Sequence, residues 1–72
     1  MKINDTEALG KLIRQRRKEL GYTQAAMSEM TGLSASFLSN LENGKPTCEV
    51  GKAIRVVNLL GMDLDVSRRG QH

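Results

Sequence analysis

A single cysteine, Cys48, and a single histidine, His72, are all that this 72-residue chain has of those two residue types. One cysteine cannot close an internal disulfide, which agrees with a reducing compartment. There is no cluster of His, Cys or carboxylates to hold a metal and no glycine-rich phosphate loop, so neither a metal nor a cofactor is expected. Long apolar runs are missing too, and the opening MKINDTE has no signal-peptide core, so the expected location is cytoplasmic, away from membranes. A chain this short makes one small domain and cannot enclose a reactive pocket, so no catalytic residues are expected. Charge of neither sign dominates. Eleven Lys and Arg against 8 Asp and Glu leave a net charge of +3, and the pI near 9.4 permits a polyanionic partner without demanding one.

What the chain does have is helix punctuation. Thr23 is a good N-cap for a helix over Gln24–Thr31, and Gly32 can take the left-handed conformation that ends it. Ser34 can cap a second helix running from Ala35 to Asn43 and stopping at Gly44. Helix, glycine-centred turn and second capped helix make the sequence picture of a helix-turn-helix. The full pattern is T-Q-x-x-x-S-x-x-x-G-L-S-x-S-x-L-S-x-L-E-N-G-K, from Thr23 to Lys45. It resembles the DNA-binding domain of the lambda-repressor-like (XRE) transcriptional regulators, with most defining positions filled by the expected residue types.

Around this unit the reading is of an all-α domain. Residues 1–6 form a lead-in and residues 7–60 a four-helix, lambda-repressor-like domain. Asp5 or Thr6 caps the first helix, whose apolar positions Leu9, Leu12, Ile13 and Leu20 share a face, and Gly21 closes it. The cations of the RQRRK run read mainly as a solvated surface. Arg17 is the exception, because the resemblance implies that it pairs with Glu42 and holds the reading helix against the first helix. In the second helix Met27 and Thr31 point inward, and Ser28 stands at a helix crossing where the family usually has alanine. Its hydroxyl can bond back to the Gln24 carbonyl. Ala25, Ala26 and Met30 read as scattered surface hydrophobes.

In the third helix Leu38 and Leu41 face inward and Phe37 packs at the edge. The outward residues Ala35, Ser36, Ser39 and Asn40 are short and uncharged, which lets a backbone approach the floor of a major groove. The resemblance implies base-facing positions at Gln24, Ala35, Ser36 and Asn40, with Ser39 beside them, and phosphate-facing positions at Thr23, Ser34, Asn43 and Lys45. A capping residue at a helix N-terminus serves both purposes, since that end also attracts an anion. No arginine heads the reading face, so A·T-weighted readout with a share from DNA shape is expected.

Lys45-Pro46 opens a new segment. Thr47 is read as the cap of a fourth helix over Cys48–Leu60, closed by Gly61, with Val50, Ala53, Ile54, Val57 and Leu60 on its core side. Val56 and Leu59 fall off that face and suggest an interface. Over residues 61–69 the period changes to two, with Met62, Leu64 and Val66 alternating with polar residues as on a short β-strand; residues 70–72 are tail. A lone strand needs a partner, and the simplest is the same strand of a second copy. The dimer interface is thus read as Val56, Leu59, Met62, Leu64 and Val66.

The strand ending resembles the HipB-type antitoxins within the XRE family. That resemblance implies a homodimer that represses its own operon from a pseudo-palindromic operator on double-stranded DNA and binds a HipA-like kinase toxin. Two alternatives stand beside it: a stand-alone XRE repressor, and a protein-interaction module that keeps the fold without binding DNA.

Overall fold

The computed structural model describes residues 2–70 as four helices in sequence: α1 (Thr6–Glu19), α2 (Gln24–Thr31), α3 (Ala35–Glu42) and α4 (Val50–Leu59). Met1 of the lead-in, and Gln71 and His72 of the tail, lie outside the described residues. Ile13, Met27, Leu33, Leu38, Leu41, Ala53, Val56, Val57 and Leu60 form the core, drawn from all four helices and the α2–α3 turn. Leu9, Tyr22, Phe37, Cys48 and Met62 pack around its edge. No helix among the described residues is long and apolar enough to cross a membrane.

Local chemistry accounts for the first three helices. Asp5 caps α1 by accepting from the Ala8 amide at 2.7 Å, so Thr6 lies inside the helix and not before it. The Thr6 hydroxyl is free to donate to the Gly44 carbonyl at 2.7 Å, tying the start of α1 to the end of α3. Leu20, expected on the buried face, is the C-cap of α1 and is partly exposed. α3 ends at Glu42 with Asn43 as its C-cap, one residue earlier than expected. Ser28 does not bond back to Gln24; its hydroxyl donates forward to the Leu33 carbonyl at 2.6 Å. That bond and the Thr31 hydroxyl, which donates to Met27 O at 2.7 Å and accepts from Leu33 N at 3.1 Å, stitch the turn between α2 and α3.

The fourth helix departs from expectation in start and rotation. Thr47 does not cap it, because residues 45–48 form a turn closed by the Cys48 amide on the Lys45 carbonyl at 3.4 Å, with Pro46 at the position proline favours. The helix therefore begins at Val50, after Glu49, which makes no side-chain cap bond. Val50 is 69% and Ile54 37% exposed, whereas Val56 is fully buried. Val56 is thus a core residue of its own chain and not an interface residue. The helix is rolled so that Ala53, Val56, Val57 and Leu60 face inward and join the one buried core that Ile13, Met27, Leu33, Leu38 and Leu41 form from the rest of the chain.

No strand is assigned among the described residues, and 62–68 carry no regular structure. Met62 is half-buried against the core of its own chain, while Leu64 is 45% and Val66 87% exposed. A strand's ladder is made by bonds to a neighbouring strand, which a single chain cannot supply here.

Candidate nucleic-acid interface

Two helix starts are capped, those of α2 and α3, and the start of α3 is exposed. Thr23 is extended (φ −86°, ψ 163°), and its Oγ1 accepts from the Ala26 amide at 3.0 Å. Ser34 has the same extended backbone, and its Oγ accepts from the Phe37 amide at 3.0 Å. Each cap satisfies one first-turn N–H, and the neighbouring N–H groups keep the partial positive charge of a helix start. Both caps are exposed, as are Ala35 and Ser36 at the start of α3; Ser39 and Asn40, a turn further on, are half-buried. The Asn43 side-chain amide lies 3.4 Å from Ser39 Oγ, at the weak limit of a hydrogen bond. Lys45 is exposed, and its backbone N–H donates to the Asn40 carbonyl at 3.0 Å, so the loop carrying its cation is pinned to the end of α3.

Behind this face α3 is clamped to α1. Arg17 Nε lies 2.7 Å from Glu42 Oε2 and Nη2 3.0 Å from Oε1, a fork-on-fork pair, while Nη1 donates to the Tyr22 carbonyl at 2.8 Å. The side chains are only 11% and 5% exposed. Glu42 ends α3, where the helix dipole disfavours a negative charge, so the guanidinium offsets both desolvation and dipole. The hydrogen bonds to Glu42 raise the Arg17 pKa above its ordinary value; burial opposes this and the charge attraction adds to it. A base with a raised pKa contributes its full stabilisation below its unfolded pKa and loses it only as pH rises through the folded one. The Arg17 proton therefore stays in place throughout the neutral range.

The second clamp is steric. Gly10 is buried in α1, and a Cβ built there would lie 2.5 Å from both the Leu41 and Glu42 carbonyl oxygens. The two backbones approach this closely only because position 10 has no side chain.

Gln24, assigned to the base-facing set, turns its amide to Glu42 Oε1 at 3.2 Å and so belongs to the clamp in this structure. Ala35, Ser36, Ser39 and Asn40 lie along α3, with Ser34 and Asn43 as its caps and Lys45 bonded to its last turn, while Thr23 caps α2. Phe37 lies half-buried at the helix edge, with the Lys52 ammonium 5.7 Å from its ring centroid. Sequence reasoning missed Gly10, the Gln24 tie to Glu42 and the core role of Leu33. Gly10 was within reach, since Gly10, Ile13 and Arg17 recur at i, i+3 and i+7 on the side of α1 that meets α3.

A helix-turn-helix domain model matches residues 10–66, most of the chain. The chain belongs to the helix-turn-helix family of the lambda-repressor-like (XRE) type and is a transcriptional regulator with a helix-turn-helix DNA-binding domain. Among its relatives is the uncharacterized HTH-type transcriptional regulator y4mF of Sinorhizobium fredii, 33% identical over 70 residues, covering 97% of this chain and 92% of that protein. Another is the ImmF control region 10 kDa protein of Bacillus phage phi105, 36% identical over 62 residues, with 86% and 69% covered. The fold is also similar to chains solved as a HipB-O4 20mer complex and as a HipA-HipB-O2-O3 complex. Each has a TM-score of 0.86 at 19% identity, covering 96% of this chain and 97% of the other. At that identity the likeness is one of fold.

Proposed function

We propose that the chain is a sequence-specific repressor that acts as a homodimer on a pseudo-palindromic operator in double-stranded DNA. The observation that carries this reading is the exposed, short-side-chained start of α3, capped by Ser34 and braced by the Arg17–Glu42 clamp. In this reading Ala35, Ser36, Ser39 and Asn40 face base edges. Gln24 joins them when its amide turns from Glu42 to the groove. Thr23, Ser34, Asn43 and Lys45 hold phosphates. Ala35 suits a thymine methyl and Asn40 a paired hydrogen bond to adenine.

Leu59, Leu64 and Val66 are exposed apolar residues along the last turn of α4 and the chain that follows. Paired with the same segment of a second copy, they would be covered and residues 61–69 would gain the strand partner that they lack. The two α3 helices would then read half-sites about 34 Å apart. A mobility shift on the DNA upstream of the chain's own reading frame tests the reading, with sedimentation giving the oligomeric state. Absence of any salt-sensitive shift would favour an interaction module that does not bind DNA.

Two substitutions divide the interface. Asn40→Ala is expected to weaken binding by about 1–3 kcal/mol on the preferred operator and relax preference at one base step. Equal loss on every sequence would restrict Asn40 to the backbone. Lys45→Ala is expected to weaken all sequences alike and lower the slope of log affinity against log salt by about 1. An unchanged slope would remove Lys45 from the phosphate set.

The antitoxin role extends this reading. The fold of HipB, which has been solved together with HipA, supports a chain that represses its own operon and binds a HipA-like kinase toxin. A neighbouring reading frame for a kinase-like protein, and co-purification with its product, test it. Absence of both leaves the stand-alone repressor.

A further inference from the structure

The end of α4 is built to fix the direction in which the chain leaves the domain. The Gly61 N–H donates to the Asn58 carbonyl at 3.0 Å and the Met62 N–H reaches back to the Val57 carbonyl at 3.1 Å. With Gly61 at φ +76°, these two bonds make a Schellman closure, and Met62 adds its usual apolar contact by packing against the core. The turn is also gripped from another helix. Arg16 of α1 donates its Nε–H to the Leu60 carbonyl at 3.0 Å, across 44 residues of sequence. Its Nη1 lies 3.5 Å from Glu19 Oε1, which steadies the guanidinium. From the middle of α4, Arg55 donates to the Thr31 carbonyl, the last of α2, at 2.7 Å. Both accepting carbonyls are helix-end groups left without an intrahelical partner. Two guanidinium bridges therefore tie α4 to α1 and α2. α1 is the helix that holds α3 through Gly10 and Arg17.

We infer that Arg16, acting with Gly61, is a positioning residue for operator spacing. It sets the angle at which residues 62–70 leave the reading domain, and so the distance and orientation between the two α3 helices of a dimer. The inference rests on the homodimer joined through this segment, as proposed above. A segment leaving through a free joint would let each reading head swivel, and DNA would have to order both at a cost in affinity. The Schellman turn and the Arg16 bridge remove that freedom before DNA is met. Half-site spacing then depends on an arginine that touches no DNA in this reading.

The test measures the distance between two copies without DNA. Cys48→Ala removes the native thiol and Glu29→Cys places a spin label on the exposed side of α2. Pulsed dipolar spectroscopy then gives the inter-copy distance distribution, and sedimentation reports the dimer. The expected result is one narrow distribution that at least doubles in width with Arg16→Gln, while helix content and the dimer are retained. Arg16→Lys, which keeps one donor, should restore part of the narrowing. Gly61→Ala strains the left-handed turn without altering the α1 side chain and should broaden the distribution in the same way. A dimer whose distribution is the same width in all four proteins overturns the inference and leaves the homodimer standing. A chain that sediments as a monomer at every concentration overturns the homodimer and this inference with it.

Discussion

Gly10→Ala is expected to destabilise the domain by about 3 kcal/mol, at the upper end of what overpacking costs. The added methyl would stand 2.5 Å from the Leu41 and Glu42 carbonyl oxygens, and neither can swing aside as a flexible side chain would. Alanine is the better helix former by about 1 kcal/mol, so propensity alone predicts the opposite sign. The contact wins because the clash is with backbone on both oxygens, and relief requires α1 and α3 to separate. Separation would also lengthen the Arg17–Glu42 bonds, so two restraints loosen together. For a domain of this size each kcal/mol shifts the melting temperature by about 4–8 °C, so a fall of about 15 °C is expected in thermal unfolding followed by circular dichroism. A variant that melted at or above the parent's temperature would show that the two helices do not approach this closely.

Arg17→Met is expected to cost about 3–5 kcal/mol, because it leaves the Glu42 carboxylate 95% buried with only the Gln24 amide as a partner. The negative end of α3 makes that charge worse placed still. Adding Glu42→Leu to Arg17→Met should recover most of the loss, since two apolar side chains can fill the site without an uncompensated charge. Urea unfolding of the parent, both single variants and the double variant closes the cycle. Between pH 6 and 9 the contribution of Arg17 should be flat, because its raised pKa keeps the proton throughout. If Arg17→Met unfolded at the parent's urea midpoint, the pair would have no part in bracing α3. DNA affinity is expected to follow stability through this series, falling in the single variant and returning in the double one. That behaviour would separate a brace from a direct contact, whose loss no second substitution at Glu42 could repair.

Much of the site was legible because it is made by local chemistry. Thr23 and Ser34 cap the helices they precede, and Gly32 ends α2 in the left-handed conformation, because a cap needs only its own next three residues. The Arg17–Glu42 pair spans 25 residues, and it was legible only because the pattern from Thr23 to Lys45 carried a known arrangement with it. Ser28 was misread because its hydroxyl donates to the Leu33 carbonyl, which the turn beyond α2 brings within 2.6 Å. Thr47 was misread because Pro46 drew it into a turn before a helix could start.

The presence of four helices, the N-caps of the first three and the short uncharged face of α3 were determined by the sequence alone, since each depends on neighbours within a turn or two. The roll of α4 was decided by the tertiary structure. A stripe centred on Ala53 and Val57 is apolar on both flanks, and periodicity, which puts Leu60 inside either way, cannot choose between Val50 with Ile54 on one side and Val56 on the other. Packing into the shared core made the choice, burying Val56 and leaving Val50 and Ile54 facing water. Gly10 belongs to the same class, because a glycine inside a helix reads as a weakness until a second backbone is found 2.5 Å from the methyl it lacks.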